Sequence, residues 1–321
     1  MKKIFSILAL AGMIMTTACS NENNEPVISS DEASVTFTVS LNDIDSRAIS
    51  DGTTVDQLIF AVFDSEGNEI ISKRQNNVPV SNCHATVTTR LQLGRGFTFA
   101  FWAQKRGNTF YNTANLKDVV VSYEGEANDE SRDAFTASWA IKKVTQDFTQ
   151  EVTLRRPFAQ VDYVCDIEEW EKVIKSTYQL KGSDFTVEGG AFTHLNILTG
   201  EVSEPTALSL SRPLDNSFVS SSSKVNNQYQ HQDLFNYNGS DKFWLSMNYI
   251  LAAKDAQTSL TGVTMNIYST GEGDALVPYT VNIDEMPIQR NHRTVVYIQD
   301  ITKVVTVNVG IDPNWGGDFN Y

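Results

Sequence analysis

The residues that could do chemistry are four histidines, several carboxylate pairs and a few glycine-flanked turns, and their spacing excludes most of what they could do. His84, His194, His231 and His292 lie far apart. None has a second histidine four residues on, as a helical zinc site would require. No Gly-x-Ser-x-Gly elbow, no Gly-x-x-x-x-Gly-Lys loop and no Gly-x-Gly-x-x-Gly run after a strand occurs. Gly94-Arg95-Gly96 is too short to cradle a phosphate and reads as a hairpin turn. The pairs Glu168-Glu169 and Asp284-Glu285 arise in any acidic chain without the geometry of a glycosidase. Asp51, Asp56 and Asp274 are loop acids open to incidental calcium, but EF-hand spacing is missing. The sequence names no catalytic residue, no cofactor and no metal site, and the chain reads as non-enzymatic.

Aromatic residues offer binding rather than catalysis. Trp102, Trp139, Trp170 and Trp244 fall in patterned segments and read as core. Trp315 differs, because it sits among glycine, asparagine and aspartate near the end of the chain. It is either an exposed aromatic contact, of the kind that stacks on sugar rings, or a cap folded back on a sheet. Charge narrows the partners. Thirty-nine Asp and Glu against 25 Lys and Arg give a net charge of −14. Without clustered basic residues, nucleic acid is excluded as a partner.

The start of the chain is a processing signal. Lys2 and Lys3 precede an apolar run from Ile4 to Met15, and Thr16-Thr17-Ala18-Cys19 closes it with small residues before a cysteine. This resembles a bacterial lipobox, which implies cleavage after Ala18 and lipidation of Cys19. Thr16 stands where a leucine is usual. Loss of Lys2 and Lys3 with residues 1–18 takes the net charge from −14 to −16. Each buried CH₂ of the added acyl chains would contribute about 0.8 kcal/mol, so the anchor would be permanent. Residues 19–33, polar and acidic with one proline, read as a disordered tether. Past the signal there is no second apolar run of membrane-spanning length. Cys83 and Cys165 are either a pair or two separate thiols.

The elements that must carry any site are strands. Val35, Phe37, Val39 and Leu41 alternate with polar residues in a half-buried strand. Gln57 to Asp64 is continuously apolar and predicts a central strand, and Glu69 to Lys73 a returning one. Further strands are predicted over 85–93, 97–102, 119–123 and 148–154, with 134–144 open between strand and helix. Pro157, which has no N–H for a sheet ladder, divides two β-patterned halves within Glu151–Cys165. Beyond it, Ile167, Trp170, Val173 and Ile174 recur at helical spacing behind an acidic first turn, predicting one short helix. Residues 211–241 read as a long surface loop, and strands resume from Phe243 to Ile311. The expectation is an all-β fold with one short helix: two β-sandwich domains in tandem, residues 34–157 and 158–321.

Three stretches carry a family resemblance: SVTFTVSLNDIDSRAISDGTTVDQLIFAVFD from Ser34, TLRRPFAQVDY at the division, and VTVNVGIDPNWGGDFNY at the close. They resemble the fimbrillin-related surface lipoproteins of Bacteroidota, subunits and accessory proteins of type V pili. The resemblance implies transthyretin-like, Greek-key β-sandwiches and a lipidated precursor held by outer-membrane lipid through Cys19. It further implies assembly with other pilus subunits by β-strand addition, in which an arginine-directed protease cuts after the first strand. The matching bond is Arg47–Ala48. Arg47 is either that processing site or a solvated loop arginine. Cutting there would release the first strand, leaving an apolar groove and an unpaired sheet edge for a partner's strand. The donor strand is to be sought among residues 293–311. The alternative function is a surface glycan-binding lipoprotein of a carbohydrate-uptake system, with glycans or proteins of host or bacterial surfaces as ligands and Trp315 as the contact.

Overall fold

The alternation that begins at Glu32 becomes strand β1 (Glu32–Leu41), whose odd-numbered side chains from Ala33 to Leu41 are buried while the others face outward. In this computed structural model the described residues are 31–41, 51–174, 180–214, 224–225, 228–229, 234–237, 240–254, 256–270, 276–301 and 307–312. After β1 come β2 (Gln57–Phe63), β3 (Gln75–Pro79), β4 (His84–Gln92), β5 (Phe97–Gln104), β6 (Tyr111–Asn112), β7 (Val119–Val121), β8 (Ala134–Ile141) and β9 (Phe148–Leu154). Beyond Pro157 follow β10 (Phe158–Asp166), helix α1 (Ile167–Ile174), β11 (Leu180–Leu195) and β12 (Val202–Pro213). The rest is β13 (Lys224–Val225), β14 (Gln228–Tyr229), β15 (Leu234–Tyr237), β16 (Ser240–Leu251), β17 (Thr258–Thr270), β18 (Leu276–Ile288), β19 (Arg293–Ile298) and β20 (Val307–Asp312). The fold is all-β with one short helix, as the sequence predicts.

A sheet ordered β4-β1-β9 faces a sheet ordered β3-β2-β5-β8, and one apolar core fills the space between them. Past Pro157, β15-β16-β10-β19-β20 faces β18-β17-β11, with β12 also on β11, around a second core. Strands β6 and β7, from before Pro157, join this last sheet through β7 on β11. A third apolar cluster lies between the halves. The alternate residues of β2 and β5, Ile59, Ala61, Phe63 and Trp102 among them, meet Phe158, Trp244 and Tyr249 there. This explains why β2 is buried at every position: Leu58, Phe60 and Val62 face the first core and Ile59, Ala61 and Phe63 the third.

Several local expectations are adjusted. Residues 71–73 form a 3-10 turn rather than a strand, and the returning strand is β3. The ambiguous stretch from Ala134 is strand β8, its choice set by pairing with β5 along its whole length. The loop expected over 211–241 is in part built structure. Arg212 and Leu214 are buried, the Arg212 guanidinium donates to the Trp244 carbonyl at 2.8 Å, and β15 pairs with β16. Residues 215–223 lie outside the described residues. Trp102, Trp170 and Trp244 are fully buried, whereas Trp139 is half-buried and packs against the first core. Trp170 stacks on Phe243 with centroids 3.8 Å apart, fixing α1 to β16. Cys83 packs beside the first core and Cys165 lies in the second, so no bridge joins them.

Candidate strand-acceptor groove

Strand β1 is the element with the most unusual seat. It lies in the middle of its sheet, antiparallel to β4 and parallel to β9, so both of its edges are paired. Phe37 stands opposite Val87 of β4 and Gln150 of β9. Its ring is surrounded by Phe99, Phe101, Phe60 and Trp139, with centroids 4.7, 5.2, 5.7 and 5.8 Å away. The outward face is held by Thr36 and Thr88 hydroxyls 3.1 Å apart and by Ser40 and Thr153 hydroxyls 3.4 Å apart. At the start of the strand the Ser34 N–H donates to Asp147 Oδ1 at 2.8 Å, and Glu32 pairs with Lys73 and Arg90. At its end the Leu41 N–H donates to the Cys83 carbonyl at 2.9 Å.

Withdrawing such a strand has a calculable effect. Burial of Val35, Phe37, Val39 and Leu41 stabilises by about 1.5–3 kcal/mol each, on the order of 10 kcal/mol together. That is comparable with the whole stability of a domain. Neighbouring strands lie about 4.8 Å apart, so β4 and β9 would face each other across about 9.6 Å, too far for a direct ladder. The groove would therefore have two unpaired edges rather than the single edge expected from the sequence. It would be refilled well only by another extended segment with apolar residues at alternate positions.

Below β9 the chain crosses between sheets at Arg155-Arg156-Pro157. Arg155 exchanges both main-chain hydrogen bonds with Thr136 at the end of β8. Arg156 is fully buried and forks onto Asp133, Nε to Oδ1 at 2.6 Å and Nη2 to Oδ2 at 2.7 Å, with its guanidinium 4.3 Å above the Phe135 ring. Burial pushes the Asp133 carboxyl up, and the Arg156 charge draws it back. On the far side the Pro157 carbonyl accepts from Ala252 N–H at 3.1 Å, and the Arg156 N–H donates to Asn291 Oδ1 at 3.2 Å. The crossing is thus bonded into both halves. Sequence reasoning marked this stretch as a border but missed Asp133 and Asn291, which lie 23 and 135 residues from Arg156.

Ala18, Cys19, Arg47, Ala48 and Trp315 lie outside the described residues. Of the region named for a donor strand, β19 is an inner strand between β10 and β20, while β20 ends its sheet and exposes Val309. Among the described residues no cluster of three or more His, Cys, Asp or Glu could hold a metal, and no helix is long and apolar enough to cross a membrane. Burial pushes the Cys165 thiol well up, away from thiolate chemistry.

Residues 26–321 match a family described as a family of unknown function, DUF6562. No curated protein matches the chain. Among solved structures, the chain is similar to the tip fimbrial protein Mfa3 of Porphyromonas gingivalis, at 13% identity over 88% of this chain and 98% of the other, with a TM-score of 0.46. A fimbrial assembly protein of Parabacteroides distasonis is similar at 12% identity, 88% and 100% coverage and a TM-score of 0.43. A Bacteroides uniformis protein suggested to act in cell adhesion gives 10%, 88% and 98%, and 0.49.

Proposed function

We propose that the chain, which belongs to the DUF6562 family of unknown function, is a non-enzymatic surface lipoprotein that builds or decorates a pilus and acts in adhesion. In this reading Cys19 carries the lipid and anchors the precursor in the outer membrane, and the tether read over residues 19–33, of which Glu32 and Ala33 belong to β1, carries the body clear of it. The two sandwiches on either side of Pro157 serve as its structural modules. Removal of β1 opens the first sandwich to a strand from another subunit.

One observation carries the reading: β1 sits between two partners, filling a row of alternate apolar seats, and it is the last described element before the stretch that holds Arg47. In this reading a strand of the same alternating pattern from another subunit takes the seat of β1. The chain's sequence resemblance to the fimbrillin-related lipoproteins is in keeping with that use.

The test is treatment of the purified precursor with an arginine-specific protease. The expected result is a new N-terminus at Ala48 and a ladder of multimers with partner subunits. Arg47→Ala should abolish both. An intact Arg47–Ala48 bond after complete digestion of an exposed control site, with no ladder, would reject strand exchange.

A further inference from the structure

Beside the apolar cluster between the halves, a polar cleft of about 400 Å³ opens over Gln57 of β2 and Gln104 of β5. These two residues stand directly opposite each other in the antiparallel ladder, on the face that carries Ile59 and Trp102. Asn76 adds a third amide and Thr113 a hydroxyl, while Ile59 and Tyr111 form an apolar wall. Among the described residues of the lining Arg74 alone is charged, and its Nη1 meets Glu69 Oε1 at 2.8 Å. The ion pair leaves the cleft without net charge.

Partners of a single polarity hold each of the three amides in one orientation. The indole N–H of Trp102 can only donate, and it donates to Gln104 Oε1 at 2.7 Å, which leaves Gln104 Nε2 without a partner among the described residues. Gln57 Nε2 donates to the Asn76 carbonyl at 2.6 Å and to Asn77 Oδ1 at 2.9 Å, which leaves Gln57 Oε1 as a spare acceptor. Arg74 Nε donates to Asn76 Oδ1 at 2.7 Å, so the Asn76 amide nitrogen is a spare donor. Arg74 Nη2 donates to the Thr113 carbonyl at 2.6 Å and so fixes the opposite rim. Gln57 and Gln104 are only 9% and 5% exposed, yet neither spare atom is sealed from solvent. Polar atoms in such a position need a partner that enters from outside. Their side chains are already ordered by the fold, so a ligand does not have to immobilise them.

We propose that this cleft binds a neutral sugar, one uncharged pyranose ring with adjacent hydroxyls. A hydroxyl both donates and accepts, so two neighbouring ones match an acceptor, Gln57 Oε1, set beside a donor, Gln104 Nε2. Ile59 and Tyr111 suit the C–H face of the ring, and the volume lies within the range of small-ligand sites. A charged ligand meets no counter-charge here, because Arg74 is already engaged by Glu69. The proposal goes beyond strand exchange, and the two fail separately, because sugar binding needs no polymerisation and the multimer ladder needs no sugar.

Titration of the full chain with the methyl glycosides of glucose, galactose and mannose, followed by NMR, tests it. At least one should saturate a single site, with an affinity that changes less than about twofold between low and high salt. Acetamide, which matches an amide but has no adjacent hydroxyls, should not displace the sugar. Asn76→Ala/Thr113→Val removes a spare donor and a hydroxyl at positions outside the core, and should weaken binding about tenfold or more with an unchanged melting temperature. If that variant melts lower, Ala114→Leu replaces it, adding bulk at the exposed rim without removing a side-chain hydrogen bond, and should weaken binding as much. The proposal is overturned if none of the three sugars saturates, which would leave the cleft to water. It is equally overturned if binding falls steeply with salt, if acetamide displaces the sugar, or if the variant that keeps its melting temperature also keeps full affinity.

Discussion

Replacing Arg156 by alanine should be among the most damaging single substitutions in the chain. Both partners of the Arg156–Asp133 pair are fully buried, and the fork is bidentate at 2.6 and 2.7 Å. Truncation leaves the Asp133 carboxylate in the interior without its counter-charge, a change that costs about 3–5 kcal/mol. The stacking of the guanidinium over Phe135 is lost as well. The pH dependence has a definite sign. Burial already raises Asp133, and removing Arg156 raises its folded value further above the unfolded one. A carboxyl that holds its proton more tightly when folded loses stability as pH rises from the unfolded value to the folded one. The penalty of Arg156→Ala should therefore be largest near neutral pH and shrink on acidification, by up to about 1.4 kcal/mol for each unit of added pKa shift. Urea unfolding of the parent, Arg156→Ala, Asp133→Ala and the double variant, at neutral and mildly acidic pH, measures this. The double variant should cost clearly less than the sum of the singles, since it leaves no unmatched charge. A cost below about 1 kcal/mol for Arg156→Ala at neutral pH, or additive singles, would refute the argument.

Three further outcomes are expected. Phe37→Ala should destabilise by about 3–5 kcal/mol through the cavity left among four aromatic rings, while Thr38→Ala on the exposed face of the same strand should stay within about 0.5 kcal/mol, both read by urea unfolding. Gly190→Ala should destabilise more than Gly94→Ala in thermal melts. Both have φ near +85° and share a cost of about 1–2 kcal/mol, but only at Gly190, beside the bulge between Val187 and Ala191, does a Cβ meet main chain, at 3.0 Å from Thr206 N. Asp166 should titrate below the ordinary aspartate value of about 3.9 in NMR, because hydrogen bonds from Lys242 and Tyr297 outweigh the upward push of burial. The stability it lends is present above that ordinary value and lost as pH falls through the lowered one, and Tyr297→Phe should move the midpoint upward.

Patterns of period two made the strands legible from the sequence, as with the alternate burial of β1 and the continuous burial of β2. The division at Pro157 was legible for a covalent reason, the missing N–H. What the sequence could not show was which faces meet. The second face of β2 packs into a third cluster with Phe158 and Trp244, and nothing local in Ile59-Phe60-Ala61 distinguishes that from a central strand under a helix. Strand neighbours were equally hidden, because the ladder of β1 with β9 joins segments with no local signal for each other. Residues 211–214 misled for a different reason: their serine-rich continuation masked a buried arginine within β12 and a buried leucine just past its end.

The parallel ladder between β1 and β9 also bears on the order of folding. Ser34 and its partner Asp147 are 113 residues apart. Closing a loop of that length costs entropy before any contact rewards it, and parallel long-range pairing is slow. During synthesis β1 emerges first, yet its second flank does not exist until residue 154 has been made. Its antiparallel partner β4 arrives much earlier but gives it one edge only. Translation order therefore places the first strand made among the last that can be secured on both edges.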